Sequence, residues 1–187
     1  MRSTMARPPC NPHQYPPVPG DADAGFAAPD PATLSPEAAI QTALRLLGPR
    51  PLSVAELGGR LERRGFGADA IDAAVRAMQG YRYLDDSRLA EGVRASAERR
   101  GKGPQWIRNT LLKRGVSPEV AQSAAQVERA EALAQARALL HRRFSDPEAL
   151  SEPRTRQRAF RFLCSRGFSS ECVLAALRSS YDDLDTP

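Results

Sequence analysis

From residue 37 onward the apolar positions fall with the period of an α-helix. Ile40, Ala43, Leu44 and Leu47 lie at i, i+3, i+4 and i+7, which predicts one apolar face of a first helix, and Gly48-Pro49 predicts its end. Ser53 followed by Glu56 three residues on has the form of a capping box, in which hydroxyl and carboxylate satisfy amides that a helix start leaves unpaired. A second helix is therefore predicted through Leu57 and Leu61 to Gly65. Phe66 opens the following turn, and Ile71, Val75 and Met78 mark a third helix. No segment alternates apolar and polar residues over a useful length, so no strand is predicted.

The same unit then recurs. Leu61-Glu62-Arg63-Arg64-Gly65-Phe66 returns as Leu111-Leu112-Lys113-Arg114-Gly115-Val116 and as Leu163-Cys164-Ser165-Arg166-Gly167-Phe168. Each copy has Leu four before Gly, Arg immediately before it and an apolar residue after it. Ile71, Ala121 and Val173 follow six past the glycines; Val75, Ala125 and Leu177 follow ten past. A glycine just beyond a helix tolerates the left-handed conformation that ends it, and an arginine there suits the negative end of the helix dipole. Gly67, Ser117 and Ser169 stand where the next helix starts. One chance match is weak, but three in phase make a repeat. The expected fold is all-α: three tandem three-helix repeats forming an elongated curved solenoid, with repeats at 37–84, 85–127 and 128–182.

Composition changes this picture mainly at the ends and in the charge. Residues 1–36 hold nine of the sixteen prolines and few apolar residues, so a disordered tail is expected, with a second disordered end at 183–187. Hydrophobic residues make up 41% and aromatics 6%, which suits helices packed through Ala, Leu and Val. No stretch approaches the roughly 18 apolar residues of a membrane span, and no apolar leader follows Arg2 and Arg7, so a cytoplasmic protein is expected. Cys10, Cys164 and Cys172 have no metal-like spacing. Cys164 and Cys172 are read as a reduced pair of small hydrophobes rather than a disulfide. With His13 and His141 the only histidines, neither metal nor cofactor is expected.

The net charge of +5 is concentrated: residues 94–114 carry +6 and residues 137–166 carry +5. Such clustering is the footprint of a polyanionic or acidic partner, although a solvated helix face can also be arginine-rich. The first block contains Arg94, Arg99, Arg100, Lys102, Arg108, Lys113 and Arg114; the second centres on Arg154, Arg156, Arg158, Arg161 and Arg166. Between the first two repeats, Tyr83-Leu84-Asp85-Asp86 predicts a helix start, with Asp85 or Asp86 as N-cap and Leu84 stapled onto the first turn. Paired acids without a third ligand, a histidine or a nucleophile do not make a catalytic site. Val93 and Ala97 are expected toward the core. Gly101 and Gly103, with Pro104 at the first helical position, would expose backbone amides at a helix start in the manner of a phosphate-binding turn, though not of a Walker loop. Phe160, Leu163 and Leu174 are expected in the core of the third repeat.

Two segments, Gly80-Tyr81-Arg82-Tyr83-Leu84-Asp85-Asp86-Ser87-Arg88-Leu89-Ala90 and Arg99-Arg100-Gly101-Lys102-Gly103-Pro104-Gln105-Trp106-Ile107, resemble the RecX family. The match runs through Tyr83, Leu84, Asp85, Asp86, Arg88, Ala90, the Arg94 to Arg100 run, Gly103, Pro104, Ile107, Leu111 and Gly115, and the resemblance covers about residues 36–182. It departs at Leu89, where the family usually has an aromatic, and at Gln105-Trp106, where it often has basic residues. Trp106 then either stacks on a partner or fills a gap in the core.

The resemblance implies a regulatory protein of DNA repair and recombination that binds the RecA filament on single-stranded DNA. It would lodge in the filament groove and suppress ATP hydrolysis and strand exchange. It would act as a monomer and touch single-stranded DNA weakly or through the filament. Arg94, Arg99, Arg100, Lys102, Arg108, Lys113 and Arg114 are the candidate contacts to RecA or DNA. Tyr83, Leu84, Asp85, Asp86, Gly103, Pro104, Ile107, Gly65, Gly115 and Gly167 are the structural motif. A helical protein that binds DNA directly is the rival reading, although no helix carries a compact base-reading set. An enzyme ranks last, since no nucleophile–base pair or metal cluster appears.

Overall fold

The computed structural model describes residues 35–144 and 148–182; the proline-rich tail, with Cys10 and His13, and the end at 183–187 lie outside the described residues. Among the described residues the regular structure is helical throughout. The helices are α1 Pro36–Leu47, α2 Val54–Glu62, α3 Ala68–Gly80, α4 Asp86–Arg99, α5 Pro104–Lys113, α6 Pro118–Ala124, α7 Arg129–Arg143, α8 Pro153–Arg166 and α9 Ser170–Asp182. A 3-10 turn at Glu148–Ser151 precedes α8.

The recurring motif has the geometry that its chemistry predicts. Gly65, Gly115 and Gly167 take φ of 86°, 73° and 92°, the left-handed region where a side chain is disfavoured. Each ends the middle helix of its repeat. Leu61, Leu111 and Leu163 before them and Phe66, Val116 and Phe168 after them are all buried. So are Ile71, Ala121 and Val173 one helix further on. Ser117 and Ser169 cap α6 and α9, accepting from the amides of Val120 and Cys172 at 3.3 and 3.2 Å. The capping box of α2 closes in both directions: Glu56 N donates to the Ser53 hydroxyl at 2.9 Å and Ser53 N to the Glu56 carboxylate at 3.0 Å.

The chain divides into two compact units: residues up to Leu89 together with Arg114–Val116, and Ala90–Lys113 together with Ser117 onward. The first unit packs Ala39, Ala43, Leu57, Leu61, Phe66, Ile71, Ala74, Met78 and Leu84 into one core. The second unit centres on Leu139, Leu140, Leu163, Phe168, Val173 and Leu177. Two expectations about facing are corrected. Leu44 is 44% exposed; α1 buries Ala39 and Ala43 with Leu46 and Leu47 at their flank, so its stripe is turned by about one position from the predicted one. Leu174 is also exposed, while Leu163 is buried and Phe160 only packs against the edge of that core. Neighbouring apolar residues on a helix compete for one face, and small alanines let α1 approach its partner most closely there. Cys164 and Cys172 are free thiols packed against the second core, and burial pushes the Cys172 thiol upward.

The Arg-Gly turns also join one repeat to the one before it. Within the first unit the Arg114-Gly115 turn meets the start of α2: the Ser53 hydroxyl donates to the Arg114 carbonyl, and Arg114 Nη2 donates to the Pro51 carbonyl at 2.8 Å. Within the second unit the Arg166-Gly167 turn meets the start of α5: Gly103 N donates to the Arg166 carbonyl at 2.8 Å, and Arg166 Nη1 donates to the Arg100 carbonyl at 2.9 Å. In both joins the residue at the start of the facing helix, Ser53 or Gly103, donates to the carbonyl of the turn arginine. The arginine of each turn therefore does more than suit its own helix end.

Candidate interaction surface

The turn between α3 and α4 is fixed by its main chain. Arg82 takes a φ of 59°, a left-handed conformation that costs an ordinary L-residue about 1 kcal/mol. Leu84 is buried in the first core. Asp85 proves to be the N-cap of α4, accepting from Ser87 N at 2.9 Å and Arg88 N at 3.0 Å. Asp86 reaches back to a different helix and accepts Val54 N at 3.0 Å, so the two acids divide the work of starting α4 and α2. Burial holds the Asp86 carboxyl above its usual range, against the lowering effect of that amide. Tyr83 turns its ring into solvent, so the turn is built without it. Replacing Asp85 with alanine removes two accepted amides and is expected to cost about 1 kcal/mol, read as a lower urea midpoint at unchanged m-value.

The Gly101–Gly103 segment corrects an expectation. Gly101 N donates to Glu98 O at 3.0 Å, Lys102 N to Ala97 O at 2.9 Å, Gly103 N to Arg166 O at 2.8 Å and Gln105 N to Gly167 O at 3.0 Å. Trp106 N and Ile107 N both turn back to Gly103 O, and Pro104 has no amide hydrogen. No backbone donor in this turn is left for a phosphate. Its glycines serve close approach instead: a methyl group on Gly101 would lie 2.6 Å from the Leu139 side chain, and one on Gly103 would lie 2.6 Å from the Gly167 carbonyl. Gly101 at a φ of 63° is also left-handed. The sequence identified the glycines, but their partners lie more than thirty residues away.

What remains for a partner is the side-chain charge, and the structure sorts it. Arg114 is 20% exposed, and its guanidinium is engaged with Glu56, donating from Nη2 at 2.7 Å and from Nε at 3.1 Å. Glu56 itself is only 4% exposed. Burial alone would raise the Glu56 carboxyl; the Arg114 hydrogen bond, the Ser53 amide and the charges of Arg114 and Arg50 outweigh it and hold the group below its usual value. Arg94 pairs with Glu98 one turn on, at 2.8 Å, an exposed pair of small energetic worth. Lys102 lies over the Trp106 ring, 5.4 Å from its centre, and the Trp106 backbone packs against Gly167, so the indole is half-buried. Arg99, Arg100, Arg108 and Lys113 are exposed, and their side chains meet no partner among the described residues.

Arg99 is brought together with a residue that the sequence did not single out. It lines a cleft of about 220 Å³ with Arg142 and Gln135 of α7, the Glu98 carboxylate and a floor that includes Leu139 and Phe168. The only signal for Arg142 was its contribution to the charge of residues 137–166. In the second block, Arg166 belongs to the repeat join and stacks over Phe162 at 5.0 Å. Arg154, Arg158 and Arg161 are exposed on α8. Among the described residues no group of histidine, cysteine, aspartate and glutamate is placed to hold a metal ion, and no helix is long and apolar enough to cross a membrane.

Three stretches of the chain match, in order, the family models of the first, second and third three-helix domains of RecX, at residues 39–76, 85–124 and 130–177. The chain belongs to the RecX family. Among its curated relatives is the regulatory protein RecX of Xanthomonas oryzae, 35% identical over 144 residues that make up 77% of this chain and 88% of the relative. That of Chromohalobacter salexigens is 37% identical over 141 residues, 75% and 91% of the two chains. That of Deinococcus radiodurans is 34% identical, covering 76% and 68%. The crystal structure of RecX from Lactobacillus salivarius superposes with a TM-score of 0.67 at 20% identity, covering 80% of this chain and 97% of that one. The all-α fold of three tandem three-helix domains is thus a RecX fold, and the protein belongs to a family of regulators.

Proposed function

We propose that this protein binds the filament that RecA recombinase forms on single-stranded DNA and restrains its ATP hydrolysis and strand exchange, as a cytoplasmic monomer with no catalysis of its own. The observation that carries the reading is the sorting of the middle-repeat cations. Arg99, Arg100, Arg108 and Lys113 keep exposed, unpartnered charge among the described residues, while Arg114 is held by Glu56. Arg94 keeps its charge at the surface beside Glu98, and Lys102 is half-covered by Trp106, so both contribute less. Several exposed charges acting together make binding strong at low ionic strength and weak at high. Family membership supports a regulatory role.

The test is inhibition of RecA ATPase activity on single-stranded DNA. The variant carrying R99A, R100A, R108A and K113A is expected to need at least about tenfold more protein for the same inhibition, with helical circular dichroism unchanged, since none of the four side chains holds the fold. Raising the salt concentration should weaken the wild type more steeply than the variant. Inhibition by the variant equal to that of the wild type at both salt concentrations would remove these residues from the interface.

A further inference from the structure

Two aromatic rings stand exposed at the turn between α3 and α4. Tyr81 and Tyr83 are 65% and 63% exposed, and their rings lie 6.3 Å apart, centre to centre, at an interplanar angle of 57°. Tyrosine rings left in water at adjoining positions forgo the burial that usually places them. The backbone amides of the turn that carries them are all bonded. Tyr81 N donates to Ala77 O at 3.0 Å, Arg82 N to Gln79 O at 3.0 Å, Tyr83 N to Met78 O at 2.9 Å and Leu84 N to Met78 O at 3.1 Å. Leu84 and Met78 are sunk in the core directly beneath. Arg82, between the rings, adopts the one left-handed conformation found at a non-glycine residue among those described. A strained, fully hydrogen-bonded turn that projects two rings into solvent resembles a support for those rings.

The surroundings select the kind of partner. A protein-docking patch surrounds its aromatic anchors with further apolar surface. Here Gln79, Gly80, Asp85, Ser87 and Arg88 are all exposed and none is a large hydrophobe. Arg82 lies between the tyrosines and Arg88 follows on the first turn of α4. The nearby acids are occupied: Asp85 accepts two amides of its own helix and Asp86 accepts Val54 N. Aromatic faces interleaved with arginine suit unpaired nucleobases, since every base has a face to stack and each is joined to a phosphate.

We propose that the Tyr81–Tyr83 turn is a stacking platform for unpaired bases of single-stranded nucleic acid, with Arg82 and Arg88 beside the phosphates. The site works on nucleic acid alone, so it stands or falls separately from filament binding. The experiment is fluorescence anisotropy of a labelled oligo(dT), titrated with the full-length protein. The double variant Y81A/Y83A is expected to raise Kd about tenfold or more, and Y81F/Y83F to stay within about twofold of wild type, because stacking needs the ring and not the hydroxyl. An abasic oligonucleotide of equal length should bind the wild type as weakly as oligo(dT) binds the alanine variant. Wild-type protein that does not bind oligo(dT), or does not prefer it to the abasic strand, overturns the proposal. So does an alanine variant that binds DNA normally while losing RecA inhibition, which would make the turn a protein contact.

Discussion

Arg114→Ala is expected to destabilise the protein by about 3 kcal/mol, far more than any of the exposed cations beside it. Its guanidinium forms two charge-assisted bonds to Glu56, whose carboxylate is nearly inaccessible to water, and a third to the Pro51 carbonyl. Removing one partner of a buried ion pair leaves the other desolvated and uncompensated, which is where the cost of about 3–5 kcal/mol arises; the lower figure applies because Arg114 keeps a partly exposed edge. The loss should depend on pH in a defined direction. Glu56 is held below its ordinary value of 4.5, so the pair contributes its full stability above that value and loses it as the pH falls through the lower folded value. In the variant the arginine no longer opposes burial, and the carboxyl rises. Urea denaturation at pH 7 and pH 3 should therefore show a large difference from wild type at pH 7 and a much smaller one at pH 3. An equal difference at both would mean that the ion pair is not what Arg114 supplies.

The second large effect is at Gly103. A methyl group there would stand 2.6 Å from the Gly167 carbonyl oxygen, 2.8 Å from its carbon and 2.9 Å from Phe168 N, all backbone atoms that cannot swing aside. The turns would have to part, weakening the bonds from Gly103 N to Arg166 O and from Gln105 N to Gly167 O. Gly103→Ala is expected to cost about 3 kcal/mol, combining overpacking with two strained hydrogen bonds. Gly92 is the control. It lies within α4 with nothing within 4 Å of an added methyl, so Gly92→Ala should stabilise by about 0.5–1 kcal/mol. Thermal or urea unfolding distinguishes them by sign. A Gly103→Ala protein as stable as wild type would show that the two turns are not in close contact.

These two residues mark the boundary of what the sequence makes legible. The Leu-x-x-Arg-Gly phase, the Ser53–Glu56 box and the serine caps depend on residues a few positions apart, so their spacing reports their geometry. The same phase placed Ile71, Ala121 and Val173 in the interior, and the RecX likeness followed from the Asp85-Asp86 turn and the glycines after Arg100. The role of Arg114 depends on Glu56, fifty-eight residues away, and that of Gly103 on Arg166, more than sixty away. The repeat marks Arg114 as the arginine before its glycine and leaves Lys113 outside the motif, but nothing local shows that Arg114 closes a buried pair while Lys113 faces water. Leu44 was misplaced for a related reason: its neighbours at helical spacing are apolar too, and only the packed partner decides which of them turns inward.

The reach of the Arg114 turn bears on how this polypeptide takes shape as it is made. The first compact unit draws Arg114–Val116 into itself from beyond the greater part of α4 and α5. While the nascent chain ends short of those residues, Glu56 has its capping amide and Arg50 but lacks the cation that neutralises it in the interior. The opening segment is thus finished by a later one, and a fragment cut after residue 89 would keep an interior carboxylate without its main counter-ion. The smallest piece that can close the first unit as it stands in the whole protein extends to Val116.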